Sequence, residues 1–174
     1  MIQVEERRHH GLTTRCDCSD AELEFQTEAF NRQLAGVDAE IWVHTCWGNP
    51  DQQRLLGSAD PGSKSGGALP HLLQLNADVI TFECASSDGR DLPLFAQYKT
   101  DKKIGIGVVN HCITTVEPAE YVGGLIGKVL EYIPPERPII TTDCRFGRDS
   151  LSNSRLIFSI LLWIERGADG GPDG

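Results

Sequence analysis

The sequence lacks three features that would place it in large functional classes. Its longest apolar run, at 156–164, has nine residues and includes a serine, whereas a membrane-spanning helix needs about 20 apolar residues. The first 14 residues contain no apolar stretch of the kind that a secretory signal requires. No G-x-x-x-x-G-K-[ST] phosphate loop is present. We therefore expect a cytoplasmic chain without a membrane span or an export signal.

Positive charge is also scarce. The chain of 174 residues has 16 Lys and Arg against 25 Asp and Glu, which gives a formal net charge of −9 at pH 7. Nucleic acids and anionic membranes repel such a protein, so we expect no partner of either kind. Small molecules or other copies of the chain are favoured instead. In a reducing compartment, the six cysteines are expected to be metal ligands, nucleophiles or core thiols rather than disulfides.

The chain divides into one predicted domain and two flanking segments. Residues 1–18 show no clear periodicity and are expected to be a loose N-terminal segment. Residues 19–166 carry the regular hydrophobic pattern of a folded domain. The glycine-rich stretch 167–174 is expected to be a disordered tail.

Strands and helices alternate in the predicted domain. Ser19 followed by Glu22 is a capping-box signature for a helix that ends near Gly36. Strands are predicted at four continuous apolar runs, 41–43, 77–82, 104–109 and 139–141. Further helices are predicted at 68–75, 118–132 and 152–165. This α/β pattern is typical of a parallel sheet covered on both faces, either a doubly wound sheet or about half of a (β/α)8 barrel.

Side chains that bind metals follow the ends of three predicted strands. His44 and Cys46 follow the first strand, Glu83 ends the second, and Cys144 follows the fourth. Because the carboxyl ends of parallel strands lie on one face of a sheet, these four side chains can converge. Imidazole, thiolate and carboxylate are normal zinc donors, so we expect Zn²⁺ as cofactor. The alternative is a strand-end histidine, a loop carboxylate and two core thiols.

Four segments, WVHTCWGNP, DVITFECASSDGRDL, IGIGVVNHCITTVEPAEYV and IPPERPIITTDCRFG, resemble the C-terminal catalytic barrel of the cobalamin-independent methionine synthase family. The resemblance implies the later half of a (β/α)8 barrel, with zinc held by His44, Cys46, Glu83 and Cys144. It also implies zinc-dependent thiol alkylation, in which a methyl group passes from 5-methyltetrahydrofolate to homocysteine. A sister branch, the epoxyalkane:coenzyme M transferases, leaves thiol addition to an epoxide as an alternative.

The sequence departs from the family pattern at three points. The position of the family's catalytic histidine is Cys112, and His111 precedes it; the resemblance makes His111 the candidate proton donor to the departing group. Arg145 replaces the glycine after the last zinc cysteine. The first half of the barrel has no counterpart in these residues. A further alternative is therefore a non-catalytic zinc-binding fragment that needs a partner, and self-association is expected to complete the barrel.

Three more side chains are candidates for substrate binding. Asp143 adjoins Cys144 and can orient a ligand or a substrate, or it can simply form a turn. Glu117 can contact substrate or act as the acid at the start of its helix. Asn49 follows a strand end, with loop capping as the alternative role. Cys84 is expected to be a core thiol, because neighbours on an extended segment point to opposite sides.

Overall fold

In the computed structural model, residues 1–6, 8–15, 18–45, 65–110, 113 and 116–144 are described, and they form a five-stranded parallel sheet with helices between its strands. The strands are β1 (Ile2–Glu6), β2 (Ile41–Thr45), β3 (Val79–Glu83), β4 (Lys103–Gly107) and β5 (Pro138–Thr141). The helices are α1 (Arg8–Arg15), α2 (Asp20–Leu34), α3 (Ser65–Leu72), α4 (Leu94–Gln97) and α5 (Ala119–Tyr132), and a 3-10 turn, Ala85–Ser87, follows β3.

The order of the strands decides between the two predicted architectures. Each strand pairs in parallel with its neighbour in sequence, so that the order across the sheet is β1-β2-β3-β4-β5. A doubly wound sheet would reverse this order at a switch point. Sequential order is the arrangement of a (β/α)8 barrel. The predicted α/β class, with parallel βα repeats of the barrel type, is confirmed.

The hydrophobic core lies around the middle strands. β3 and β4 are buried along most of their length, as the continuous apolar runs predict for strands covered on both faces. β1 is largely exposed and β5 only half-buried. Among the most deeply buried apolar side chains are Val43, Leu69, Leu72, Val79, Ile80, Ile104, Ile106, Leu125 and Val129.

The prediction of a loose segment over residues 1–18 is wrong. Residues Ile2–Glu6 form β1, which pairs with β2 in the register Ile2↔Ile41 through Glu6↔Thr45, and Arg8–Arg15 form α1. Hydrophobic periodicity misses β1 because the strand is short, mostly exposed and held by backbone hydrogen bonds to β2. It misses α1 because that helix is mostly polar.

A buried polar triad joins β1, α1 and α2. Glu6 and His9 are 4% and 0% exposed, and Glu6 Oε1 lies 3.2 Å from His9 Nδ1. Thr27 Oγ1 donates to the Leu23 carbonyl at 3.0 Å, so it accepts from His9 Nε2 at 2.9 Å. Burial would raise the pKa of the Glu6 carboxyl, but His9 and the N–H groups at the start of α1 outweigh burial and lower that pKa.

The helix boundaries follow local signals. Glu22 Oε2 accepts the Ser19 N–H at 2.8 Å and the Ser19 hydroxyl at 3.0 Å, which confirms the predicted start of α2. The helix ends at Leu34, and Gly36 follows in the left-handed region at φ +80°.

The helix predicted at 152–165 and the tail predicted at 167–174 lie outside the described residues. Within the described part, no helix has the length and apolar character to cross a membrane.

Replacing Glu6 by Gln should lower the free energy of unfolding by about 1.5–3 kcal/mol at pH 7, because the buried hydrogen bonds to a charged group are weakened. Since the folded-state pKa of Glu6 is lowered, its contribution is present above the unfolded pKa of about 4.3 and is lost as pH falls through the folded pKa. Urea titrations at several pH values should therefore show that the difference in free energy of unfolding between the wild type and Glu6→Gln becomes smaller in acid.

Glu24→Gln is the matched control, because Glu24 is exposed on α2. It should change stability by no more than about 0.5 kcal/mol. A deficit in Glu6→Gln that stays constant down to pH 3 would contradict the charge role of Glu6.

Candidate metal centre

Three of the four predicted metal ligands are described, and they lie together at the carboxyl end of the sheet. His44 is near the end of β2, Glu83 is the last residue of β3, and Cys144 follows β5. One candidate ligand atom from each lies within 4.8 Å of the others. The parallel sheet therefore brings together side chains that are 39 and 61 residues apart in sequence. Cys46 lies outside the described residues.

The orientation of His44 is fixed by a threonine on the neighbouring strand. His44 and Thr81 are in register across β2 and β3, and His44 Nδ1 lies 2.7 Å from Thr81 Oγ1. His44 Nε2 is buried and makes no hydrogen bond to any described residue. A buried ring nitrogen without a partner costs free energy, and a metal ion would remove that cost. This arrangement is the usual one for a metal-binding histidine, whose other nitrogen is hydrogen-bonded.

The side chains around His44 favour a positive charge at its position. Burial by itself would lower the pKa of the imidazole, but Cys144, Glu5 and Glu83 together raise it above its ordinary value. Glu5 is in register with His44 across β1 and β2. Sequence reasoning missed Glu5 because it missed β1. Two carboxylates near a buried imidazole, those of Glu5 and Glu83, form a setting that attracts a cation.

Asp143 binds the segment that follows Glu83. Its Oδ1 accepts the N–H groups of Cys84 at 2.7 Å and Ala85 at 2.9 Å, and its Oδ2 accepts that of Ser86 at 2.7 Å. Asp143 is 1% exposed. Burial raises the pKa of its carboxyl despite the three N–H groups, which lower it. The predicted orienting role fits this contact, while direct substrate binding by Asp143 stays a prediction.

Two glycines of β4 leave room for the side chains that orient the site. A Cβ at Gly105 would lie 2.6 Å from Thr81 Cγ2. A Cβ at Gly107 would lie 2.3 Å from Asp143 Oδ1 and 2.4 Å from its Cα. A Cβ essentially never lies this close to a non-bonded atom. Both positions therefore require glycine or a shift of their neighbours. The two glycines therefore allow Thr81 and Asp143 to pack directly against β4.

Glu117, just before α5, contacts the backbone of the segment that follows β4. Its Oε1 accepts the Asn110 N–H at 2.9 Å, and its Oε2 is buried without a hydrogen bond to any described residue. Burial raises the pKa of this carboxyl. Glu117 precedes Pro118, the N-cap of α5. Substrate contact by Glu117 stays a prediction.

The remaining predicted residues divide into one that is described and three that are not. Cys84 is buried, and burial together with the neighbouring aspartates raises the pKa of its thiol to about 12. It lies in the hydrophobic core and is not among the described side chains whose ligand atoms lie together with those of His44, Glu83 and Cys144. His111, Asn49 and Arg145 lie outside the described residues, so their predicted roles stay predictions.

Comparison with known proteins identifies relatives of the chain. A family model described as the catalytic domain of cobalamin-independent synthase matches residues 1–155. The methionine synthase of Saccharolobus solfataricus is 31% identical over 144 residues, which cover 83% of this chain and 37% of the relative. The 5-methyltetrahydropteroyltriglutamate–homocysteine methyltransferase of Haemophilus influenzae is 33% identical over 147 residues, or 18% of its own length. The chain thus spans less than half the length of these curated relatives.

Solved structures share the fold. A B12-independent methionine synthase from Shewanella sp. W3-18-1, in complex with selenomethionine, superposes with a TM-score of 0.69 at 22% identity. The match covers 95% of this chain and 48% of that one. A putative vitamin B12-independent methionine synthase from Listeria monocytogenes gives a TM-score of 0.61 at 17% identity and covers 96% and 48% of the two chains.

Replacing Thr81 by Val should weaken zinc binding about 10- to 100-fold, because the His44 ring loses the hydroxyl that orients it. Competition with a chromophoric chelator measures this affinity. Thr27→Val is the matched control, since it removes a hydroxyl from the buried imidazole of His9, which is not one of the proposed metal ligands. Both variants should lose stability, and only Thr81→Val should lose affinity. Equal zinc affinities in the two variants would contradict the orienting role.

Proposed function

The chain belongs to the family of cobalamin-independent synthase catalytic domains, and we propose that it takes part in zinc-dependent methyl transfer to the thiol of homocysteine, with 5-methyltetrahydrofolate as methyl donor. The observation that carries the proposal is the convergence of His44, Glu83 and Cys144 at the carboxyl end of the sheet. The names of the relatives support the substrate class. Because the chain covers only part of those relatives, the full reaction is a proposal for this chain.

The residues proposed to hold the zinc are His44, Cys46, Glu83 and Cys144. One imidazole, one carboxylate and two thiolates make a donor set that suits zinc. The buried His44 Nε2, which no described residue satisfies, fits a metal at this position. When bound there, zinc would supply the positive charge that lets a substrate thiol lose its proton near neutral pH.

The chain's own residues prepare the site for this chemistry. Thr81 holds the His44 ring, and the buried position of His44 and Asp143, 7% and 1% exposed, keeps water from that side of the cluster. Asp143 fixes the segment after Glu83. We propose His111 as the acid that protonates the departing group, and Asn49, Asp143 and Glu117 as residues near the substrate.

Other functions receive less support. The relatives reported above are named as methionine synthases or homocysteine methyltransferases, which favours methyl transfer over epoxide–thiol addition and over a zinc-binding fragment without catalysis. A second copy that completes the barrel stays a proposal. In the described part, β1 and β5 each pair with only one other strand, and light scattering would report whether the chain self-associates in solution.

Elemental analysis of the purified chain should find one zinc per molecule. Cys144→Ser and Glu83→Gln should lose most of it, since each removes a negatively charged donor. Cys84→Ser is the matched control, because the Cys84 thiol is buried in the core next to Glu83 in sequence but is not one of the proposed ligands, and the variant should retain its zinc. A folded wild-type chain without zinc, or Cys144→Ser with a full complement, would overturn the proposed centre.

Replacing His111 by Asn should reduce the rate of methyl transfer about 100-fold or more, which is the usual loss when a general acid is removed. Zinc content should not change. His71→Asn serves as control, since His71 is a buried histidine on α3. Methionine formed from homocysteine and the methylated folate is the measured product. An unchanged rate in His111→Asn would remove His111 from the mechanism and leave the zinc proposal standing.

A further inference from the structure

We propose that Asp143 is a positioning residue that fixes the spacing between Glu83 and Cys144 before any metal binds. The inference rests on the proposed function, because it takes these two residues as ligands of one ion. Asp143 directly precedes Cys144, and the first N–H group that it accepts belongs to Cys84, which directly follows Glu83. This hydrogen bond therefore connects the residue before one proposed ligand, Cys144, to the residue after another, Glu83.

The three hydrogen bonds that the Asp143 carboxylate accepts from Cys84, Ala85 and Ser86 are called the clamp below. The clamp joins two strands that do not pair with each other. β3 pairs with β4 and β4 with β5, so that β4 separates the end of β3 from the end of β5. Asp143 follows β5, and its carboxylate accepts three successive N–H groups at 2.7–2.9 Å from the segment after β3. The backbone ladder alone fixes each strand only relative to its immediate neighbour, whereas this contact fixes the ends of β3 and β5 directly.

Gly107 makes the crossing over β4 feasible. A Cβ there would meet Asp143 Oδ1 at 2.3 Å, Cα at 2.4 Å and the backbone nitrogen at 2.6 Å. Two of these three atoms belong to the backbone and cannot turn away. The Asp143 N–H also donates to the carbonyl of Val109, just after β4, at 3.1 Å. Asp143 is thus held through its backbone by the segment after β4 and through its carboxylate by the segment after β3.

The role of the clamp differs from that of a general stabilising contact. The β3–β4 and β4–β5 ladders are formed by backbone pairing that does not involve the Asp143 side chain, so its loss should loosen the strand ends rather than unfold the sheet. Asp78 offers a comparison. Its Oδ2 accepts the Ile41 N–H at 2.7 Å, which ties β3 to β2 at the opposite end of the sheet. Asp78 therefore makes the same kind of bond far from the proposed ligands.

Asp143→Asn and Asp78→Asn form a matched pair of variants. Zinc affinity should fall about 10- to 100-fold in Asp143→Asn, as expected when a group that orients ligands is lost, and stay at the wild-type value in Asp78→Asn. Amide hydrogen exchange on the metal-free protein gives an independent measurement. The amides of Cys84, Ala85 and Ser86 should exchange faster only in Asp143→Asn.

Gly107→Ala tests the same geometry while leaving the Asp143 carboxylate chemically unchanged, and it covers the case in which Asp143→Asn does not fold. Its added methyl should displace Asp143 and lower zinc affinity in the same direction. Gly127→Ala is its control, because a Cβ there meets no atom within 4 Å, and its affinity should be unchanged.

The outcomes separate this inference from the proposed function. Wild-type zinc affinity and unchanged exchange at residues 84–86 in a folded Asp143→Asn would overturn the clamp and leave the metal centre intact. A comparable loss of affinity in Asp78→Asn would also overturn it, since the effect would then follow general stability. A wild-type chain that binds no zinc would overturn the proposed function, and the inference with it.

Discussion

The close approach of two side chains to the backbone of β4 is the constraint on which the site depends. Thr81 lies over Gly105 and Asp143 over Gly107. Thr81 contacts His44, and Asp143, the residue before Cys144, accepts the N–H of Cys84, the residue after Glu83. Neither Thr81 nor Asp143 is a proposed ligand. A site assembled from distant parts of a chain needs such supports, because each ligand alone keeps considerable side-chain freedom that metal binding must remove.

Much of the fold could be predicted from hydrophobic pattern, and the exception has a physical cause. β2, β3 and β4 are predicted because strands covered on both faces must be apolar, and the half-buried β5 is apolar as well; each predicted run overlaps an observed strand. β1 is not predicted, because an edge strand exposes most of its side chains and is held by hydrogen bonds to β2. The triad of Glu6, His9 and Thr27, which fastens this segment, leaves no periodic signal either.

In the candidate site, the grouping of the ligands could be predicted from the sequence, but the contacts that support the ligands could not. Metal-binding residue types directly after predicted strands indicate a shared edge of the sheet, so the grouping of His44, Glu83 and Cys144 is within reach of sequence reasoning. The contact of Thr81 with His44 and the three hydrogen bonds of Asp143 could not be predicted in this way. They depend on the register between strands and on the space left by the glycines of β4. The glycines themselves are visible in sequence, but what occupies the space beside them is not.

The charge of the proposed donor set bears on the kind of reaction. Two thiolates and one carboxylate around Zn²⁺ leave a net charge of −1, and such a centre is a weaker Lewis acid than one with neutral ligands. It is therefore poorly suited to generate hydroxide from water, but it can leave a sulfur atom electron-rich and nucleophilic. A buried imidazole with Glu5 as a further neighbouring carboxylate extends the same negative environment. Attack of a thiolate on an alkyl carbon is the chemistry that this charge distribution favours.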